Sequence, residues 1–394
     1  MLSTNFPPWP SFTEEEALAV QQVLLSNRVN YWTGQEGRNF EREFAHWVGV
    51  KHAVAVANGT VALDLALKGL GVGPGDEVVV TPRTFLASVS SVVNAGAVPV
   101  FADIDPDSQN LTAETIQRVL SPRTKAIICV HLAGWPCEMD PIMALAQKAG
   151  LWVIEDCAQA HGAKYKGQSV GSIGHVGAWS FCQDKIMTTG GEGGMVTTSD
   201  TALWKRMWAY KDHGKSWDAV YEREHPPGFR WLHESFGTNW RMTEMQATIG
   251  RIQLKRMAGW NEKRLAYAQK IWAVAKGLPG LRVPSVPVYV HHAAYKCYVF
   301  VQPDNLAEGW SRDRILQELI EVGVPAYSGS CSEVYLERAF DNTTFRPQER
   351  LPVAKALGET SLMFLVHPTL RLEHVQQTCD SLALVMARAT GRQG

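Results

Sequence analysis

An α/β architecture, with a mainly parallel sheet lying between helices and a smaller α+β region behind it, is what this sequence predicts, on three observations. Between about residues 53 and 200, short apolar runs rich in Val, Ile and Ala alternate with helix-like segments, the pattern of strands buried on both faces. Glycines punctuate that alternation at the helix ends. Beyond about Thr243 the pattern changes to one long helical stretch, broken by Pro279, Pro284 and Pro287. At 394 residues the chain exceeds the length at which single cores stop growing, so a large domain over 1–250, with an N-terminal arm, and a small one over 251–394 are expected.

Taken in order, Ala53-Val54-Ala55-Val56 leads to a helix from Val61 to Leu70, closed by Gly69, Gly71, Gly73 and Gly75. Glu77-Val78-Val79-Val80 leads to a helix from about Phe85 to Ala95, with Gly96 after it, and Val98-Pro99-Val100-Phe101 to one near Ala113–Leu120. Ala126-Ile127-Ile128-Cys129-Val130 precedes a helix at Pro141–Ala149 that Gly150 ends, and Leu151-Trp152-Val153-Ile154 runs into Glu155-Asp156. The long helix spans Glu244 to Leu278; after it come a strand at Tyr295–Val301 and helices near Asp313–Val322 and Leu372–Ala389. In such sheets ligands bind beyond the carboxyl ends of the strands.

Charge excludes some partners. The 38 basic and 39 acidic residues leave a formal net charge of −1, so no overall field draws the chain to nucleic acid or an anionic membrane. No apolar run approaches the roughly 18 residues a spanning helix needs, and the start lacks a basic segment followed by an apolar one, so a soluble, unprocessed protein is expected. Seven cysteines without a C-x-x-C pair point to neither zinc nor a disulfide framework, and a reducing cytoplasm fits. No metal site is predicted.

The chemistry concentrates at two places. Asp156 ends an apolar strand, where an unpaired carboxylate is costly to desolvate and so needs a cationic or donor partner. Lys185, 29 positions on, follows the strand-like Ala178-Trp179-Ser180-Phe181 and precedes Thr188-Thr189-Gly190-Gly191-Glu192-Gly193-Gly194, too glycine-dense for a helix. A held amine and a buried carboxylate suit pyridoxal phosphate (PLP): the amine condenses with its aldehyde, and the carboxylate keeps the pyridine nitrogen protonated. Around them, Asn58-Gly59-Thr60 offers amides and a hydroxyl at a helix N-terminus, a place for a phosphate or simply a helix cap by Asn58. Ser180 adds a hydroxyl, Gln159 a donor for the ring oxygen, and Phe85 a flat face for stacking or for core packing. Gly237-Thr238-Asn239-Trp240-Arg241-Met242-Thr243-Glu244 opens the long helix, either as a capping segment or with Asn239 and Arg241 as polar donors.

With these pieces in place the chain resembles the DegT/DnrJ/EryC1/StrS family of PLP-dependent sugar aminotransferases, within the aspartate aminotransferase fold (fold type I). The likeness runs from Trp32-Thr33-Gly34 through Asn58-Gly59-Thr60-Val61-Ala62-Leu63, Gly75-Asp76-Glu77-Val78, Glu155-Asp156-Cys157-Ala158-Gln159, Ser180-Phe181 with Lys185, Gly191-Glu192-Gly193-Gly194 and Asn239-Trp240-Arg241-Met242-Thr243-Glu244 to His367-Pro368. It implies Lys185 as the cofactor-binding amine and proton-transfer base, Asp156 on the pyridine nitrogen, Gln159 on the ring oxygen and Phe85 over the ring. It further implies Gly59, Thr60 and Ser180 on the phosphate, with Asn239 supplied by the second subunit of a homodimer. Family members that remove a sugar hydroxyl replace the lysine by histidine, so Lys185 favours transamination.

The implied reaction moves an amino group from glutamate or glutamine to an oxo-sugar, a nucleotide-linked keto sugar of lipopolysaccharide, O-antigen or related glycans. A free acidic sugar, such as the 8-oxo form of 3-deoxy-manno-octulosonate, is the rival. His131, His213, Arg230 and Arg241, with Lys211, Lys215 and His233, would then form a cationic mouth for a carboxylate. The segments His131-Leu132-Ala133-Gly134-Trp135, Lys211-Asp212-His213-Gly214-Lys215 and Phe229-Arg230-Trp231-Leu232-His233 depart from the family's usual pattern around that mouth, and in the first motif, at the phosphate contacts, Asn58 stands where the family commonly has Ser. A nicotinamide oxidoreductase would need a G-x-G-x-x-G after the first strand, and there is none. A non-catalytic PLP-binding regulator would need a DNA-reading module, for which no basic domain is visible.

Overall fold

The computed structural model describes residues 5–225, 227–228 and 230–391. Its strands, in chain order, are β1 (His52–Val56), β2 (Glu77–Val80), β3 (Val98–Phe101), β4 (Thr124–Val130), β5 (Trp152–Asp156), β6 (Lys164–Tyr165), β7 (Gln168–Ser169), β8 (Val176–Ser180), β9 (Gly194–Thr198), β10 (Leu281–Arg282), β11 (Val290–His291), β12 (Cys297–Val301), β13 (Ala326–Tyr327) and β14 (Ser361–Phe364). A seven-stranded sheet runs in the order β1-β9-β8-β5-β4-β2-β3. The pairs from β3 to β8 are parallel, whereas β9 lies antiparallel between β8 and β1. The fold class read from the apolar runs is therefore the one observed. The reversal of β9, which lies one strand in from the edge, was not visible in those runs, because a strand's direction is set by the connection and not by its composition.

Full burial of Val78–Val80, Ile127–Cys129 and Val153–Ile154 shows helices covering both faces of the sheet. Two helices precede β1, Glu14–Leu25 and Glu36–Val48; the second buries Phe40, Phe44, Ala45 and Val48 on one stripe and ends at Gly49 in the left-handed region. A second sheet, β10-β12-β14-β13, is antiparallel throughout. The helix Glu244–Lys276 links the two regions. Thr243 caps it, with Gln246 returning the bond to the Thr243 amide. Its first half ties to the N-terminal helices through Arg251 with Glu36 and Glu43, and Arg256 with Glu15 and Glu16. Its second half reaches the C-terminal region, Lys263 donating to the Pro368 carbonyl and Trp272 to that of Tyr298. The helix crosses position 250 without a break.

Consecutive residues on a strand face opposite sides, and at the end of β5 both sides are acidic. Glu155, fully buried, accepts the amides of Gly171 (2.9 Å), Ile173 (2.8 Å) and Gly174 (2.6 Å), together with His131 Nε2 (2.9 Å). His131 Nδ1 accepts the Cys137 amide, so in the neutral ring Nε2 carries the hydrogen and donates to Glu155. Sequence reasoning had His131 at a substrate mouth. The structure corrects this: the ring is wholly enclosed and both nitrogens are used inside the fold. Through Glu155 the 171–174 loop is clamped immediately before β8, which fixes β8 beside β5 in the register Asp156↔Ala178.

Replacing Glu155 by Ala should cost about 4 kcal/mol in urea unfolding, since it leaves one buried and two half-buried amides and a buried histidine without their acceptor. A loss below about 1 kcal/mol would show that the loop is held by other means.

Candidate active site

Asp156 projects from the opposite face of β5 into a cavity of 520 Å³ at the carboxyl ends of the central strands. Gly59, Thr60, Phe85, Gln159, Ser180 and Lys185 line the same cavity, so seven of the predicted residues converge although they come from four separate stretches of chain. Asn58 and Val61 complete one end, and Cys182, Asp184 and Glu192 form part of the rim.

The phosphate-like end is built by close approach. A Cβ on Gly59 would stand 2.5 Å from Ser180 Cβ, and one on Gly194 would stand 2.3 Å from the Asn58 carbonyl, so glycine at both places lets the helix N-terminus and the β8–β9 connection touch. Asn58 acts as the cap, its Oδ1 accepting the Val61 amide at 3.0 Å. The cap reading of Asn58 is therefore what the structure shows, while the Thr60 and Ser180 hydroxyls remain beside the helix N-terminus, where the dipole favours an anion.

At the other end Asp156 accepts Ser88 Oγ (2.7 Å) and the Ala158 amide (3.1 Å). Burial pushes its carboxyl above the ordinary aspartate value of 3.8; the Ser88 and Ala158 donors and the positive charge of Lys185 oppose this without overcoming it. A cationic N–H placed against this oxygen pair would restore the ionised form, which is what a protonated pyridine offers. Gln159 Oε1 accepts the Ala133 amide at 3.0 Å, which orients the side chain so that its NH₂ is the remaining donor. Phe85 is 72% exposed, a large aromatic face open on the cavity and not packed in the core. The Lys185 side chain is 16% exposed, its Nζ 3.7 Å from Asp184 and 5.3 Å from the Tyr295 ring centroid. Asp184 in turn accepts the Tyr295 hydroxyl. The donor set and the glycine cradle thus fit a flat phosphorylated aldehyde.

Other predicted residues are not in this cavity. Asn239 is exposed and bridges to Asp212 across the backbone, outside the lining of the chain's own cavity. The expected cationic mouth is not assembled within the chain. Arg241 (2.6 Å) and Lys215 (3.0 Å) both spend their charge on Asp212, and Lys211 is fully buried with its ammonium 3.8 Å from the Tyr31 ring centroid. His213, Arg230 and His233 are exposed and line no part of the cavity, and Phe229 lies outside the described residues. Charge counted along a sequence does not reveal which cations a single carboxylate will neutralise. Sequence reasoning missed Ser88, whose signal was its place one helical turn after Phe85, and Tyr295, for which there was no local signal.

The chain's residues 10–383 match the model of the DegT/DnrJ/EryC1/StrS aminotransferase family. The chain belongs to that family. Among solved structures, an aminotransferase from Psychrobacter cryohalolentis is 66% identical, with a TM-score of 0.95 over 98% of this chain and 99% of that one. The structure of S. venezuelae DesV in complex with a ketimine intermediate is 33% identical, with a TM-score of 0.85 over 95% of each chain. A UDP-N-acetyl-3-dehydro-α-D-glucosamine 3-aminotransferase of Acidithiobacillus ferrooxidans is 38% identical over 95% of this chain and 94% of its own length. The family assignment makes this chain an aminotransferase of the sugar-acting group. Among the described residues no helix is long and apolar enough to cross a membrane.

The raised carboxyl at Asp156 has a consequence for stability. A group whose folded value lies above its unfolded one costs stability when ionised; that cost is fully present above the folded value and vanishes below about 3.8. Ligand-free Asp156→Asn protein should therefore be more resistant to urea than the parent at pH 7.5, with the difference shrinking as the pH falls toward 4. A less stable Asp156→Asn protein at pH 7.5 would contradict this.

Proposed function

We propose that the cavity binds PLP on Lys185 and that the protein transfers an amino group from glutamate or glutamine to a nucleotide-linked keto sugar in the biosynthesis of lipopolysaccharide, O-antigen or a related glycan. One observation carries this reading: Lys185 and Asp156 face a single cavity whose far end is a helix N-terminus flanked by Thr60 and Ser180. When bound, PLP supplies an electron sink that stabilises negative charge on the carbon losing its proton.

The chain's residues do the rest. Asp156 keeps the ring nitrogen protonated, and Ser88 and the Ala158 amide hold the carboxylate in place for it. Gln159, oriented by Ala133, donates to the ring oxygen. Gly59, Thr60 and Ser180 receive the phosphate, and Phe85 covers one face of the ring. Lys185 is the covalent anchor and afterwards the base that moves a proton at the substrate carbon in each half-reaction. Asn239 is exposed and lies away from the chain's own cavity, which supports a homodimer in which it serves the second subunit's phosphate site. The named A. ferrooxidans relative acts on a UDP-linked sugar, which supports a nucleotide-linked acceptor. A free acidic sugar gains no cationic pocket from the chain's own cavity: Arg241 and Lys215 are bound to Asp212, Lys211 is buried, and the exposed His213, Arg230 and His233 line no part of it. A nucleotide's diphosphate gains none there either, so the choice of acceptor rests on that relative.

The test separates the two half-reactions by absorbance, first with glutamate or glutamine and then with a panel of oxo-sugars with and without nucleotide. Nucleotide-linked keto sugars should restore the starting spectrum and free acidic sugars should not; the reverse order would overturn the acceptor assignment. Lys185→Ala should fold yet lose at least about 10³-fold in both half-reactions. Asp156→Asn should keep measurable cofactor binding and slow both, and normal turnover in it would remove the electron-sink role.

A further inference from the structure

The family match begins at residue 10, one position after a tryptophan that bonds to the main chain of Lys185. The Trp9 indole N–H donates to the main-chain carbonyl of Lys185 at 2.8 Å, across 176 positions of sequence. The Lys185 amide meanwhile donates to the Cys182 carbonyl at 3.1 Å. The peptide that carries the amine is thus fixed on one side by its own turn and on the other by the N-terminal segment.

Trp9 is itself held by the C-terminal half of the chain. Its ring stands edge-on to Trp260 at 5.2 Å, stacks on His367 at 6.1 Å, and lies 4.9 Å from the Arg264 guanidinium. Arg264 is 1% exposed, and its Nε and Nη2 have no hydrogen-bond partner among the described residues. Burial without a carboxylate presses its guanidinium down to about 9, with Tyr295 opposing. The indole face is the polarisable surface that this buried cation has been given. The preceding residues close the attachment: the Pro8 carbonyl accepts Thr369 Oγ1 at 2.9 Å, and Phe6 packs on His374 at 5.1 Å.

We propose that Trp9 is a positioning residue for Lys185, and that the N-terminal segment is a strap fastening the Lys185 peptide to the long helix and the His367-Pro368 corner. The strap returns Nζ to the same point of the cavity wall each time the amine is released. This rests on the reading of Lys185 as the cofactor-binding amine. Nothing in the sequence pattern marked Trp9, because its partner is a main-chain atom far along the chain.

The experiment is capture of added PLP by full-length apo-protein, followed as the rate at which the bound-cofactor absorption band appears, well below the melting temperature. Trp9→Phe keeps an aromatic ring on Arg264 and Trp260 but deletes the N–H. It should capture PLP roughly two- to tenfold more slowly, the range one neutral hydrogen bond supports, with kcat lowered in step and both KM values unchanged. Thr369→Val, which loosens the other end of the strap, should act in the same direction more weakly and serves if Trp9→Phe does not fold. Parent-like capture rates in the folded variants would overturn the proposal, as would a slowing that only follows the loss of folded protein. Failure of the parent to capture PLP would instead sink the reading of Lys185, and this inference with it.

Discussion

The end of β5 is the constraint from which the site follows. Two adjacent carboxylates leave the strand on opposite faces, and each is used where it lands. Glu155 meets three loop amides and His131 and so sets where β8 begins; Asp156 meets the cavity. Because β8 carries Ser180 and the following turn carries Lys185, the inward carboxylate fixes the geometry between the outward one and the amine. A buried carboxylate with four donors is a structural clamp, whereas one with two donors and an open cavity is a reactive group waiting for a cation.

Much of this was legible before any coordinates. Alternating apolar runs give a covered sheet because strands buried on both faces have no polar side to show, and a carboxylate at the end of such a run must have a partner. The convergence of Gly59, Thr60, Phe85, Asp156, Gln159, Ser180 and Lys185 was legible because each sits at a strand end or helix start, which this class of sheet brings to one edge. The antiparallel β9, the helices before β1 and the role of Trp9 were not. They depend on pairings between distant segments, which local pattern does not encode.

The charged residues around the presumed mouth show the same limit from the other side. Reading Lys211, Lys215 and Arg241 as a cationic rim assumed that neighbours in sequence act together in space. Asp212, embedded in the same run, takes up two of the three, and the third is buried against Tyr31. What remains at the rim is acidic, Asp184 and Glu192, with Lys185 drawn toward Asp184. The cavity therefore presents donors for a phosphate at one end and carboxylates at the mouth, a division that suits a phosphorylated cofactor held deep.

The most direct test of the central claim is chemical. Reduction of the PLP-loaded protein with borohydride, followed by proteolysis and mass spectrometry, should place the pyridoxyl group on the peptide containing Lys185. An adduct on another lysine, or an equal yield of adduct in Lys185→Ala protein, would contradict the account.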